Sequence, residues 1–522
     1  MKGKIGLYEF LSEKLIISLT IFLFTLITGC IEDIDTTFVF GDQNGGPEIP
    51  SVRFPDIPVS DQFSVWLNDS LIFTYRGGNM EHGFFSFAGF DFKNTARIRI
   101  RYEAEITHCK ILPEKLGINY ELLDANSLTF TLHHPEKITL LFNGSLNNSL
   151  TLLTALPETE KPDPDDPGVL YYTAGEVYDI GILDLSDNQT LYIERGAILD
   201  GMVRIKDASN VRIMGRGMID GSRNVSSDYD PGGNEPWRLI YMDHAENVSI
   251  EGITLYNSKR WTIHPYACKG LNIKNIQILN WEYGSDGIDL SACQDVHISD
   301  CYLRTNDDAI AIKALAFGKA YYPNPRIQKQ NVKNILVEGC KVWNLNWGNA
   351  FEIGYELRCD TVSNITFRDC DVLRQGSRGA VLSIHNGDQA FVENILYEDI
   401  RVVNAETGGQ GKKLFDLAIL YTLFSYDSYW GDAYNGHWDN LLSPRGYYGS
   451  AENRGWIRNV TFRNIEIQDE NLPYSIVKGW NADHQVMDVL FENITMMGSK
   501  LMDESALGLI YHNNYYNDIQ IR

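Results

Sequence analysis

The chain has 522 residues, 44% of them hydrophobic, and a net charge of −24. That apolar fraction supports a large core and speaks against global disorder. The negative balance is opposite to what a phosphate backbone attracts, so no nucleic-acid partner is expected, and a strongly anionic substrate is disfavoured.

The chain opens with Lys2, Lys4 and Lys14, then the apolar run "LIISLTIFLFTLIT", then Gly29 and Cys30. The run is short for a membrane span and has signal-peptide character. "LITGC" resembles a bacterial lipobox, which implies cleavage after residue 29 and a lipid on the Cys30 sulfur. Residues 30–50 then read as a tether, and the protein is expected in the bacterial cell envelope, lipid-anchored to a membrane at a periplasmic or surface-exposed face.

Residues 51–156 hold short alternating runs between turns: "FSVWLN", "LIFTY", "ARIRIRYEAEI", "SLTFTLHH" and "ITLLFNG". That pattern predicts a small antiparallel β-sandwich. "PETEKPDPDDPG", 157–168, is rich in proline and acid and reads as a linker.

From 169 to 522 the sequence repeats. A polar residue is followed by apolar residues at offsets +1, +3, +6 and +8. The starts are Asn210, Asn247, Gly270, Asp295, Asn334, Asn364, Asn394, Asn459 and Asp488, with a truncated copy at Asp518. Offset +6 is Ile or Cys throughout, except for Arg216. Alternation broken at one fixed place means two short strands joined by a bend, and no helical stretch recurs. The fold class is therefore all-β: a right-handed parallel β-helix, its coils stacked at about 4.8 Å, preceded by the sandwich. Cys301, Cys340 and Cys370 then form an internal ladder of small apolar side chains rather than metal ligands or disulfides. The polar starts are expected to satisfy backbone groups at the bends.

Aligning the second strand of successive coils sets "DGIDL" from Asp286 against "DAIAI" from Asp308 and "NAFEI" from Asn349, with "KRWTI" from Lys259 below them. Asp286, Asp308 and Asn349 then stack in one outer column, with Asp307 at the bend beside them. Lys259, Arg260 and His264 lie one coil below, and Lys313 and Glu352 on the same outward side; with Asn349 and His385 they are the candidates to bind substrate. Two carboxylates about 5 Å apart repel by roughly 3 kcal/mol at an effective dielectric near 20, about two pKa units. Such a cluster in an open groove holds a proton near neutral pH. A protonated acid beside ionised bases is what glycosidic hydrolysis requires. Three carboxylates also suit Ca²⁺, and that reading stays open at this point.

"GSDGIDLSACQDVHISDCYLRTNDDAIAIK" resembles the core signature of family 28 glycoside hydrolases, the polygalacturonase group. The sandwich-plus-helix plan resembles family 49, the dextranase and isopullulanase group. Both resemblances imply inverting hydrolysis of a polysaccharide or oligosaccharide. Asp307 would be the general acid, and Asp286 and Asp308 would hold and activate the water. The chain departs from family 28 at three places. Gly284-Ser285 replace Asn-Thr, Asn349 replaces the histidine of Gly-His-Gly, and "GAVLSIHNG", 379–387, offers Ser383 and His385 where Arg-Ile-Lys binds a galacturonate carboxylate. A standard polygalacturonase is therefore not expected, although Lys259, Arg260 and Lys313 could supply replacement charge. Tyr429, Trp430, Tyr434 and Trp438, in an insertion spanning 404–459, are candidates for a sugar-stacking wall, and residues 314–330 for another. A Ca²⁺-dependent polysaccharide lyase and a non-catalytic glycan-binding lipoprotein are the alternatives. No signal for a nucleotide, zinc or redox cofactor is present.

Overall fold

The computed structural model describes residues 52–223, 238–314, 329–376, 379–405, 412–422, 425 and 454–522. The leader, Cys30 and the aromatic residues Tyr429, Trp430, Tyr434 and Trp438 lie outside them. No helix among the described residues is long and apolar enough to cross a membrane.

Two five-stranded sheets form the sandwich. One runs in the order Ser70–Ile72, Phe63–Leu67, Ala96–Tyr102, Ser127–Leu132, Tyr120–Asp124. The other runs Tyr75–Asn79, Gly83–Asp91, Ser149–Ala155, Lys137–Phe142, Cys109–Leu112. The sandwich departs from the expected antiparallel plan at one pair, because Ser149–Ala155 runs parallel to Gly83–Asp91. Alternating residues such as Val65, Ile98, Ile100 and Leu128 fill the space between the sheets. Lys137–Phe142 and Ser149–Ala155 are buried on both faces. Their outer face packs Leu141 and Leu153 with Phe85 and Phe87 against Tyr256, Trp281, Tyr302 and Trp343 of the following domain. Thr139 reaches across to hydrogen-bond the Tyr302 hydroxyl at 2.9 Å. Arg216, the exception in the apolar pattern, leaves the core to pair with Asp91 of the sandwich at 3.0 Å and to donate to the Leu156 carbonyl at 3.0 Å.

The remaining strands form one thirty-stranded sheet wound as a parallel solenoid. The offset +1 residues pair in register as Val248, Leu271, Val296, Ile335, Ile365, Ile395, Val460 and Val489. Cys301, Cys340 and Cys370 are buried and free. Part of the segment read as an insertion is itself a solenoid strand: Lys412–Ile419 pairs with Gly379–Asn386 on one side and Tyr474–Lys478 on the other.

All ten polar starts, Gly270 included, have positive φ, from 50° at Asp518 to 69° at Gly270. That explains the residue type, since Asn, Asp and Gly enter the left-handed region most easily. The asparagines add a second contribution. Asn364 donates Nδ2 to Asn334 Oδ1 at 3.2 Å and accepts from Asn394 at 3.3 Å, and Asn459 continues the ladder to Asn394 at 2.7 Å. Replacing Asn364 by Ala combines left-handed backbone strain with lost hydrogen bonds, an expected cost of about 2 kcal/mol in denaturant unfolding. Asn364→Gly should cost about half as much. Equal losses in the two variants would show that backbone conformation is not what selects the residue.

Candidate active site

The site is set by how adjacent coils pair. Ile288 lies over Ile310, and Ile310 over Phe351. Just before these strands the amide of Gly287 donates to the Asp308 carbonyl at 2.8 Å, and Ala309 to that of Asn349 at 2.9 Å. Asp286, Asp308 and Asn349 therefore stack one per coil, as the sequence alignment requires. The coil below is displaced from that alignment. Ile263, not Trp261, pairs with Ile288, so Trp261 rather than Lys259 underlies Asp286. The shift is two residues, which keeps every side chain on its face.

The Asp307 bend is held from all sides. Thr305 Oγ1 and Asn344 Nδ2 donate to the Asp307 carbonyl at 2.9 and 2.6 Å. The Asp308 amide donates to Asp307 Oδ1 at 3.0 Å. Gly348 passes so close that an added Cβ would stand 2.2 Å from the Asp308 nitrogen and 2.7 Å from Asp307 Oδ1. Only glycine, here at φ +69°, lets the next coil approach the paired aspartates this closely.

Asp286, Asp307 and Asp308 each bring one oxygen within 4.8 Å of the others. They do not line the open groove that the sequence suggested. Asp286 is 3% exposed and Asp308 6%, and of the three only Asp307 keeps partial access. Lys313 is the cation among them. Its Nζ lies 2.9 Å from Asp289, 3.6 Å from Asp286 and 3.8 Å from Asp308, and 4.0 Å above the Trp261 ring. An ammonium at that point stands where a Ca²⁺ ion shared by these carboxylates would, so the residues present fit Ca²⁺ poorly.

Lys313, with Arg238 acting on Asp289 as well, leaves the acids in excess. Burial, then repulsion from Asp308, pushes the Asp307 carboxyl up to about 8. Burial followed by Asp289 and Asp307 holds Asp286 well above the usual carboxylate range. Burial raises Asp289 to about 6 and Glu356 to about 7, against the pull of Lys313. Asp308 is held by its neighbour on the next coil: its Oδ1 accepts from the Asn349 backbone at 2.7 Å and side-chain amide at 2.9 Å. Asn349 in turn accepts from the Ala380 amide at 2.8 Å. It therefore positions Asp308 and is itself buried.

The other residues singled out in the sequence divide. Lys259 is partly accessible and pairs with Glu282 at 2.9 Å; Arg260 is partly accessible beside Gly284. His264, Glu352 and His385 are buried, against the expectation that they contact substrate. His264 Nε2 lies 3.1 Å from Ser291 Oγ, and burial holds its pKa well below the ordinary value. His385 is clasped between Glu352 at 2.8 Å and Asp416 at 2.9 Å, and these two carboxylates, against its burial, raise it to about 9. Lys413 completes this group, 2.6 Å from Asp416. Sequence reasoning missed Asp289, Asp416 and Lys413. Asp289 could have been found as the outward residue of "DGIDL"; Asp416 was hidden by the reading of its strand as insertion. The Tyr283–Trp347 pair was missed too, with centroids 5.1 Å apart and Tyr283 49% exposed, beside the turns that carry Asp286 and Gly348.

Residues 184–409, which include all three aspartates, match the family model described as Glycosyl hydrolases family 28. A probable polygalacturonase of Vitis vinifera is 26% identical over 207 residues, 33% of this chain and 42% of that protein. A polygalacturonase of Gossypium barbadense is 27% identical over 213 residues, 39% of this chain and 48% of that protein. The matches thus span less than half the length of these curated relatives. Among solved structures, Dex49A from Penicillium minioluteum superposes with a TM-score of 0.65 at 12% identity, over 90% of this chain and 96% of its own. The solenoid core thus resembles family 28, and the two-domain plan shares the fold of Dex49A.

The raised carboxyls make stability depend on pH. An unfolded Asp titrates near 3.9, and folded Asp307 near 8. Between those values the folded state holds more protons, so stability falls as pH rises from about 4 to about 8, and Asp289 adds the same sign. Asp307→Asn should flatten the decline of melting temperature over this range and melt above the parent at pH 8. An unchanged slope would mean that Asp307 titrates normally.

Proposed function

We propose that the protein is a glycoside hydrolase that cleaves a polysaccharide or oligosaccharide, with Asp307 as general acid and Asp286 and Asp308 holding the water. The observation that carries this reading is the triple-carboxyl cluster, in which the partly accessible Asp307 retains its proton up to about pH 8. A carboxylic acid protonated at neutral pH can donate to the leaving glycosidic oxygen. Asp308, positioned by the Asn349 donors, takes the proton from water, and Asp286 orients that water beside it. Lys313 offsets the charge that the cluster gains as Asp307 gives up its proton.

The substrate at the cleavage point is a neutral sugar in this proposal. Ser383 and His385 stand in the place of a carboxylate-binding Arg and Lys, and the His385 charge is already matched by Glu352 and Asp416. Lys313 and Lys259 likewise have carboxylate partners. A galacturonate carboxylate would lose a charge-assisted contact of about 1.5–3 kcal/mol and would meet the field of the buried acids. The resemblance favours inversion. The separation runs against it, since inverting pairs commonly stand about 6.5–9.5 Å apart and these oxygens lie within 4.8 Å.

Digestion of a panel of neutral and uronate glycans, with products read by mass and ¹H NMR, tests all three points. Neutral polymers should be cut and polygalacturonate spared, products should appear with inverted configuration, and Asp307→Asn should lose at least about a hundredfold in turnover. Near-parent activity in that variant removes the acid assignment, and retained configuration assigns Asp308 as nucleophile. An ultraviolet-absorbing unsaturated product would instead mean a lyase.

The leader and Cys30 support a lipid anchor at the cell envelope. Cys30→Ala should abolish incorporation of labelled fatty acid and release the protein from membranes; continued labelling would exclude Cys30 as the attachment point.

A further inference from the structure

A second acidic column lies toward the start of the solenoid, apart from the catalytic cluster. Asp179, Asp200 and Asp220 stack in register on three successive coils, and Tyr256 follows in the same column. Such a column is costly, because each carboxylate repels the next across about 4.8 Å. Burial, helped by this repulsion, lifts both Asp200 and Asp220 above the usual carboxylate range.

The column borders a cavity of about 520 Å³ where the sandwich rests on the solenoid. That volume is within the range of about 300–1,000 Å³ of small-ligand sites. Both domains wall it: Arg76 and Phe84 come from the sandwich, and Asp200, Asp220, Arg223 and Tyr256 from the solenoid. Donors and acceptors alternate around it. Arg223 bridges Asp56 at 3.2 Å and Asp200 at 3.1 Å, and Arg76 pairs with Asp61 at 3.2 Å. Asp220 Oδ1 accepts from the Ser222 amide and hydroxyl at 2.8 and 2.6 Å, while its Oδ2 takes no hydrogen bond from the described residues. Carboxylates that accept, guanidinium groups that donate, and an aromatic floor match the vicinal hydroxyls and apolar face of a pyranose. Because both arginines already carry carboxylate partners, an acidic sugar gains little here.

A polar track joins the cavity to the catalytic bend. Asn257 Nδ2 donates to Ser222 Oγ at 3.0 Å, and Asn257 Oδ1 accepts from Lys259 Nζ at 3.4 Å. Lys259 then pairs with Glu282, four residues before Asp286. Along the solenoid axis two to three coil steps, about 10–15 Å, separate Asp220 from the catalytic coils, a rise of a few sugar units.

The geometry points to a distal subsite in this cavity, holding a neutral pyranose of the same glycan chain whose bond reaches Asp307. This rests on the glycan reading of the catalytic cluster and adds a second anchor, built jointly by the two domains.

Two substitutions test it, Asp220→Asn and the more exposed Arg223→Ala, with melting curves to verify folding. Gluco-, xylo- and galacto-oligosaccharides from disaccharide to octasaccharide are the probes. Binding is measured by calorimetry on an Asp307→Asn background, cleavage on the otherwise unaltered chain. In the parent, affinity should rise with length until the cavity is filled. Each substitution should remove about tenfold of that gain and leave turnover of the shortest cleaved oligosaccharide unchanged. Parent-like affinity and products at every length in both folded variants would overturn the subsite, as would the absence of any binding across the three series. Length-dependent binding lost in the variants, with no cleavage by the unaltered chain, would uphold the subsite and remove the hydrolase reading instead.

Discussion

Everything in this protein depends on parallel, in-register hydrogen bonding between one coil of the solenoid and the next. The amide of Gly287 reaches the carbonyl of Asp308, and that of Ala309 reaches Asn349. Once this pairing is made, residues distant in the chain have no choice of neighbour. Apolar positions become continuous ladders such as Val296, Ile335 and Ile365. Acidic positions become columns, whatever their mutual repulsion. The same constraint places Asn, Asp or Gly at each polar start, because each coil must enter the left-handed region at the same point. The asparagine ladder follows from that backbone requirement.

The cluster of Asp286, Asp307 and Asp308 shows what such a scaffold can impose. Free carboxylates would separate and hydrate. Here the stack, the hydrogen bonds to the Asp307 carbonyl and the close pass of Gly348 hold them together. The opposing free energy appears as raised carboxyl pKa values at Asp286, Asp289 and Asp307 and as the capture of the Lys313 ammonium. Further along the same face, Glu352, Asp416, His385 and Lys413 form a second buried group in which the charges pair among themselves. The two neighbouring groups thus solve burial differently, one by holding protons and the other by pairing ions. In the proposed reading the first group serves acid chemistry, and in the second the cations His385 and Lys413 already face Glu352 and Asp416.

The sandwich is part of the same construction and not an independent appendage. Two strands of its inner sheet, Lys137–Phe142 and Ser149–Ala155, are buried on both faces. The second face covers the aromatic residues Tyr256, Trp281, Tyr302 and Trp343 of the solenoid. Arg216 and Arg195 both close on Asp91 across this junction. The His82 ring of the sandwich also comes within 3.5 Å of Asn306, next to the proposed acid.

Periodicity in the sequence determined the solenoid, the coil starts from Asn210 onward but not the earlier one at Asn188, the cysteine ladder and the stacking of Asp286, Asp308 and Asn349. It could do so because a parallel stack repeats one local pattern, and a pattern is written in residue order. Alignment of "KRWTI" failed by two residues because that coil enters its strand through a different turn, and period-2 alternation is blind to a shift of two. Tertiary structure alone decided what surrounds the column: the burial of Asp286 and Asp308, the placing of Lys313 between carboxylates from neighbouring coils, and the clasp of His385 by Glu352 and Asp416. Those depend on which coil lies above which and on what covers the outer face. Electrostatic character follows distance and solvent exclusion, and neither has a signature in the order of residues along a chain.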